Sequence, residues 1–193
     1  MTMDTSQILI NLLLFVFLPL WGLAGLADWF CHRATNIEET TGIKETLMHA
    51  VMGIQIAIPI VLCLLFYVNV LILLICFAVW ILHEAVAHWD VRYAEPRRLI
   101  TIWEMHAHNY LSTLPLFMLL MIVVINWPAF INLVTLNWQG QFALQRVDIP
   151  HGGEGYFALY LWFMAIVCVF PYCEEFLRCV FAALRRRKNS APV

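Results

Sequence analysis

Residues 82–109 read LHEAVAHWDVRYAEPRRLITIWEMHAHN and join two strongly apolar segments of the chain. Within this stretch Glu84 and His88 are four residues apart, and Glu104 and His108 repeat that spacing. On a helix, residues at i and i+4 lie on one face, with their Cβ atoms about 6 Å apart. The carboxylate and the imidazole of each pair can therefore point at the same ion.

The same spacing occurs twice more, earlier in the chain. Asp28 precedes His32 by four residues, and Glu45 precedes His49 by four. Each pair lies at an end of an apolar segment, so four helices can bring four pairs to one metal centre. With the neighbouring histidines included, ten residues are candidate metal ligands: Asp28, His32, Glu45, His49, His83, Glu84, His88, Glu104, His106 and His108.

The composition predicts an all-α integral membrane protein. Of the 193 residues, 63% are hydrophobic and only 12% are charged, whereas about a quarter of a soluble domain is charged. The length predicts a single domain, the transmembrane helical domain 1–193. The six cysteines form no C-x-x-C pair, so a disulfide framework is not expected. The N-terminus lacks the basic region of a cleavable signal peptide, and the first apolar run is interpreted as a retained helix.

About five transmembrane helices are predicted, because a bilayer core requires about 20 apolar residues per helix. They cover about residues 8–32, 42–67, 70–89, 99–125 and 156–178. A polar loop is expected from Asp90 to Arg98, and a short interfacial segment at 129–138. The basic tail at 185–193 is interpreted as mobile. The metal-binding part is the four-helix region of about residues 8–125.

The basic residues predict how the helices are oriented. Five crossings place ten of the eleven Lys and Arg residues on one side and only Arg146 on the other. The positive-inside rule then predicts that the N-terminus is outside and the C-terminus is cytoplasmic. The same topology places all four acid/His pairs on the cytoplasmic side, and a bacterial inner membrane is the expected location.

The number of candidate ligands favours two metal ions. A zinc ion is held by about four ligands, and imidazole mixed with carboxylate favours iron, manganese or zinc over soft metals. Glu84 and Glu104 are the candidate catalytic residues. Asp28 has a second interpretation, in which its carboxylate orients a ligand imidazole. A single acid/His pair is often no more than a salt bridge on a helix, and it is the repetition of the pair that favours a metal.

Other charged residues have less specific interpretations. Asp90 fits a solvated loop as well as a role beside the metal ligands. Arg97 and Arg98 fit contacts with lipid headgroups or an anionic substrate, and the topology alone also explains them. Glu174 and Glu175 end the fifth helix on the side of the metal site; they fit a role in that site, but charges at a helix end are the preferred interpretation.

The segments HEAVAH (His83–His88) and EMHAH (Glu104–His108) resemble the histidine-rich clusters of the integral-membrane di-iron enzymes, the fatty acid desaturases and hydroxylases. Carboxylates stand where that family has several of its histidines. The resemblance implies a di-iron centre that activates dioxygen and a lipid-like substrate.

The leading hypothesis is therefore a membrane metalloenzyme that hydroxylates or desaturates a hydrophobic substrate with dioxygen. It requires an external electron donor, because no flavin or nicotinamide fingerprint is present. Membrane lipids are expected partners, and a nucleic acid is not. One alternative is a zinc-dependent membrane lipid hydrolase with Glu84 as general base. The other is a non-enzymatic metal-binding sensor or assembly factor.

Overall fold

The computed structural model describes residues 4–189. The secondary-structure elements in this part of the chain are all helices. Five of them are long and apolar enough to cross a membrane, which confirms the predicted helical class and the number of long helices. They are α1 (Thr5–Ala34), α2 (Ile43–Leu65), α3 (Val70–Ala94), α4 (Ile102–Ile125) and α6 (Tyr156–Asn189). A shorter helix, α5 (Trp127–Val134), overlaps the segment predicted to be interfacial.

Side-chain caps fix where α3 and α4 begin. Asn69 Oδ1 accepts a hydrogen bond from the backbone N–H of Ile72 at 3.1 Å, and Thr101 Oγ1 accepts one from the N–H of Glu104 at 3.2 Å. Such caps satisfy amide groups that the first turn of a helix leaves without intrahelical partners. The cap at Thr101 therefore places Glu104 in the first turn of α4.

The predicted loop from Asp90 to Arg98 is wrong in its first half, because α3 continues to Ala94. Asp90 is only 1% exposed, and its carboxylate contacts His49 of α2 rather than water. Because the Asp90 carboxylate has a buried partner, this residue is stable within the helix and does not require solvent. The connection to α4 is consequently short, and it contains Arg98.

The predicted mobile tail is also wrong for residues 185–189, which continue α6 as helix. Arg186 donates hydrogen bonds to the backbone oxygen of Glu38 at 3.1 Å and to the carboxylate of Glu39 at 2.6 Å. These contacts attach the end of α6 to the connection between α1 and α2. The remaining part of that prediction, residues 190–193, lies outside the described residues.

The largest apolar core occupies one half of the bundle. Helix α1 packs against α4, α2 packs against α3, and α6 contacts both α1 and α2. The core lies near the start of α1 and the ends of α2 and α4, and it consists of Leu14, Leu18, Trp21, Ile56, Leu64, Leu114, Met118, Tyr156 and Tyr160. The opposite half is formed by the end of α1 and the starts of α2 and α4, which carry the candidate ligands.

Gly22 allows α1 to approach α6 closely. A Cβ atom at this position would lie 2.9 Å from a ring carbon of Phe163 and 3.1 Å from a methyl group of Val167. Small residues are a common means of close helix packing in membranes. We expect Gly22→Leu to separate the two helices and to cost about 1–3 kcal/mol of stability, as overpacking usually does.

Thermal unfolding of the purified protein in detergent measures this effect. Gly53→Leu in α2 is the matched control, because a Cβ atom at Gly53 meets no heavy atom within 4 Å. A lower unfolding temperature is expected for the Gly22 variant alone. Equal changes in both variants would show that Gly22 has no special packing role.

Candidate metal centre

Six of the ten predicted ligands converge at one end of the bundle. Short connections between successive helices bring the last turns of α1 beside the first turns of α2 and α4. Five of the six side chains are buried and the sixth, His108, is partly buried. The six residues are Asp28, His32, Glu45, His49, Glu104 and His108.

A first group of four donors joins α1 to α4. One donor atom from each of Asp28, His32, Glu104 and His108 lies within 4.8 Å of the others. His32 Nε2 is 3.5 Å from Asp28 Oδ2 and 3.5 Å from Glu104 Oε1, and His108 Nε2 is 3.0 Å from Asp28 Oδ1. Tyr172 of α6 donates a hydrogen bond to Asp28 Oδ2 at 3.3 Å. This group fulfils the expectation that i and i+4 pairs from two helices face one point.

A second group joins α2 to α3. Donor atoms of Glu45, His49 and Asp90 also lie within 4.8 Å of one another, and His49 Nε2 is 3.3 Å from Asp90 Oδ2. Asp90 was not among the ten candidate ligands, because its charge and its position before a proline suggested a loop. No local spacing identifies Asp90 as a candidate ligand, because its partners Glu45 and His49 lie on another helix.

Glu175 of α6 links the two groups. One carboxylate oxygen is 3.0 Å from His32 Nδ1, and the other is 3.4 Å from His49 Nδ1. The two imidazole rings stack with centroids 4.7 Å apart and an angle of 9° between their planes. Thr46 Oγ1 also donates to Glu175 at 3.3 Å. Glu175 therefore fixes the orientation of both rings and leaves each Nε2 directed at its own group of donors.

The interpretation of Glu175 as a charge at a helix end is wrong, because its side chain is completely buried. Its neighbour Glu174 does fit that interpretation, since its carboxylate forms ion pairs with Arg33 at 2.7 Å and Arg178 at 3.2 Å near the surface. Adjacent residues on a helix point about 100° apart, so only one of the two glutamates can face the cluster.

Arg98 lies between the two groups. Its Nε donates to both carboxylate oxygens of Glu45, at 3.1 and 3.2 Å, and its Nη1 donates to Glu104 Oε2 at 2.9 Å. Its Nη2 also contacts both glutamates. Burial by itself would lower the pKa of the Arg98 guanidinium. The hydrogen bonds to Glu104 and Glu45 raise this pKa by more than burial lowers it, so the group stays charged. The expectation of a lipid-headgroup contact for Arg98 is wrong, because its side chain is 1% exposed and pairs with Glu45 and Glu104.

The cluster has a large surplus of negative charge. Five buried carboxylates and one guanidinium leave a formal charge of minus four when the three imidazoles are neutral. Protonation of all three imidazoles would still leave minus one. Uncompensated charge is costly to bury, so either protons on the imidazoles or bound cations would lower the cost of burying this cluster. The carboxylates are Asp28, Glu45, Asp90, Glu104 and Glu175.

Several buried nitrogen and oxygen atoms of the cluster form no well-aligned hydrogen bond within the described part of the chain. Asp90 Oδ1 and His32 Nε2 are inaccessible to solvent and form no well-aligned hydrogen bond, and Asp28 Oδ1 has only its ion-pair contact with His108 at 3.0 Å. The Nε2 atom of His32 nevertheless faces carboxylate oxygens from three different helices at 3.5–4.0 Å. Arg98 donates to Glu45 and Glu104, so these carboxylates are already partly satisfied, and the nitrogen and oxygen atoms that converge here form a group that could hold a metal ion.

Four of the predicted ligands lie outside these groups. His83 is buried but contacts neither group, and Glu84 accepts a hydrogen bond from Ser112 Oγ at 2.8 Å. His88 and His106 are exposed. The expectation that all four acid/His pairs face one ion is therefore wrong for the pair Glu84 and His88.

Helix geometry explains why Glu84, His88 and His106 point away, whereas His83 shares the face of Asp90 but lies about two turns from it. On α3 the face directed at the cluster is set by Asp90, and Glu84 is rotated from that face by about 120° at 100° per residue. His106 is rotated by about 200° from Glu104 on α4. Equal spacing within a pair shows that its two members share a face, but it does not show which way that face points.

Comparison of the chain with protein families, with curated proteins and with solved structures finds no match. The resemblance to the membrane di-iron enzymes thus depends on the residues of the site alone, and it stays a prediction. The chemistry of the buried cluster is the basis on which a function can be assigned.

Proposed function

We propose that this chain is an integral-membrane metalloenzyme with a dinuclear, iron-containing centre that oxidises a lipophilic substrate with dioxygen. The observation that carries this proposal is the buried cluster of two donor groups, joined by Glu175 and Arg98, with its surplus of negative charge. Two divalent cations would balance the formal charge of minus four.

Each donor group would hold one metal ion. Asp28, His32, Glu104 and His108 would bind the first, and Glu45, His49 and Asp90 would bind the second. All seven donors are nitrogen or oxygen atoms, and no thiolate belongs to either group, which favours iron, manganese or zinc over soft metals.

Glu175 would act on the metals through the imidazoles. A ligand histidine commonly directs its other ring nitrogen at a carboxylate, which fixes the tautomer and makes the ligand more basic. Glu175 contacts His32 and His49 in this way at once, from a completely buried position. It would therefore couple the geometry of the two metal sites.

Iron in this centre would supply oxygen activation, and the chain would supply exclusion of water and correct orientation of the ligands. Electrons would come from an external donor. The membrane setting is supported by the five long apolar helices. Most basic residues lie at the end of the bundle that carries the cluster, which favours a cytoplasmic position for the site and an outside N-terminus.

An apolar cavity supports the lipophilic substrate class. It has a volume of about 190 Å³ and is lined by residues that include Leu18, Ile56, Trp80, Pro115 and Met118. For comparison, an apolar cavity of about 150 Å³ can hold benzene. Ile56 and Pro115 are each seven residues from a ligand histidine, so the cavity begins about 10 Å from the cluster along α2 and α4. The cavity suits an alkyl segment of a substrate.

Metal analysis of the purified protein tests the proposal. We expect about two iron atoms per chain, by inductively coupled plasma mass spectrometry, in tag-free protein purified in mild detergent. The visible spectrum of the same sample should show absorption from ferric iron that disappears on chelation. About one zinc per chain and a colourless sample would instead favour the hydrolase. Folded protein without any metal would contradict the proposal.

A further inference from the structure

A basic pocket lies outside the metal centre, at the end of α3. It has a volume of about 430 Å³ and opens widely to the surface. No carboxylate lines it. Its lining consists of Ala85, His88, Trp89, Arg92, Tyr93 and Arg97.

Two cations are positioned by one aromatic ring beside this pocket. The guanidinium of Arg97 lies 4.1 Å from the centroid of the Tyr93 ring, and the ammonium of Lys44 lies 4.4 Å from it. Arg97 Nη1 also donates to the backbone oxygen of Tyr93 at 2.7 Å. Aromatic stacking of this kind holds a cation in place while leaving its other donors available.

The cations around the pocket are not neutralised by acidic side chains. The ion pairs that arginines form within residues 4–189 involve Arg33, Arg98, Arg178 and Arg186. Lys44, Arg92 and Arg97 form none in the described part of the chain. The pocket therefore presents a concentrated positive charge together with the imidazole of His88, an arrangement complementary to a phosphate group.

The depth of the pocket matches the phosphate layer of a membrane. The segment Val70–Trp89 contains 20 residues and would cross about 30 Å of hydrocarbon. Trp89 is 60% exposed, as expected for a tryptophan at the membrane interface. Arg92 and Arg97 lie beyond it, at the level of the headgroups. On the hydrocarbon side, Ile81 and Leu82 are both more than half exposed and suit contact with lipid tails.

We infer that this pocket binds the phosphate headgroup of an anionic phospholipid. His88, Arg92 and Arg97 would contact the phosphate, Trp89 would contact the glycerol region, and the acyl chains would follow the apolar surface of α3. The inference depends on insertion of α3 in a membrane but not on the metal centre, so the two proposals can fail separately.

Native mass spectrometry of delipidated protein in mild detergent tests the inference, with phosphatidylglycerol as the probe and phosphatidylcholine as the neutral comparison. The wild-type protein should bind phosphatidylglycerol preferentially. Each basic residue near a membrane surface contributes a factor of about five to binding of anionic lipid. The variant Arg92→Gln/Arg97→Gln should therefore bind phosphatidylglycerol about 25-fold more weakly, while its metal content stays unchanged.

Arg185→Gln/Arg187→Gln is the matched control, because it removes the same charge from an exposed part of α6 at the same end of the bundle. This variant should bind lipid nearly as well as the wild type. Equal weakening of both double variants, or of neither, would overturn the inference. Displacement of the lipid by millimolar inorganic phosphate would also overturn it, since the pocket would then recognise a free anion.

Discussion

His32→Ala is expected to lower the metal content of the purified protein from about two ions per chain to fewer than one. The substitution removes Nε2 from the first donor group, where it faces Asp28 and Glu104 at 3.5 Å. It also removes the stacked ring and the Nδ1 contact with Glu175, which together orient His49. One imidazole therefore supports both metal sites, and its loss should affect both.

His88→Ala and His106→Ala are matched controls for this prediction. Both histidines are exposed and lie outside the donor groups, although His88 belongs to a pair with the same spacing and His106 lies within another. Metal content and absorption should be unchanged in these two variants. Loss of metal in His88→Ala, with retention in His32→Ala, would contradict the assigned site.

His108→Ala separates loss of a ligand from loss of the fold. His108 is partly exposed, with a side-chain exposure of 20%, so truncation there should disturb packing less than truncation of the completely buried His32. Its imidazole belongs to the first group only. A folded His108→Ala protein that retains about one metal per chain would support two separable sites.

The sequence allowed the position of the site along the helices to be predicted, but not the rotation of each helix. Asp28 and His32 could be placed at one end because the hydrophobic segments fix which residues lie at helix ends. The pairs Asp28/His32 and Glu104/His108 indeed share one donor group. Glu84 and His88 have the same spacing and the same depth, yet α3 directs them away from the cluster.

The residues that the sequence did not reveal are those whose roles depend on partners from other helices. In the sequence Asp90 has the properties of a loop residue, and its role becomes visible only from the structure, where His49 of α2 lies 3.3 Å away. Glu175 has the properties of a charge at a helix end, and its role becomes visible only when α6 packs against α1 and α2. Neither packing arrangement produces a local pattern in the sequence, because the partners of Asp90 and Glu175 lie on other helices.

Arg98→Gln is expected to destabilise the metal-free protein by about 3–5 kcal/mol, the usual cost of removing one partner from a buried ion pair. Arg98 donates to Glu45 and to Glu104, and both glutamates are completely buried. Without the guanidinium, two carboxylates from different helices would face each other with no charge between them. Arg97→Gln is the matched control. The side chain of Arg97, next to Arg98 in the sequence, is exposed, so its removal should change the stability little in lipid-free detergent.

Unfolding measured with and without bound metal determines what Arg98 does in the cluster. A guanidinium that shares Glu45 and Glu104 with metal ions competes with them electrostatically, so its removal should strengthen metal binding. Because the stabilisation of the folded state by a ligand grows with the logarithm of its affinity, the added metal should raise the unfolding temperature of Arg98→Gln more than that of the wild type. If metal raises both equally, Arg98 stabilises the fold alone and the metals bind independently of it. If the metal-free variant is as stable as the wild type, the buried carboxylates do not require the charge of the guanidinium, and the argument from charge for two cations fails.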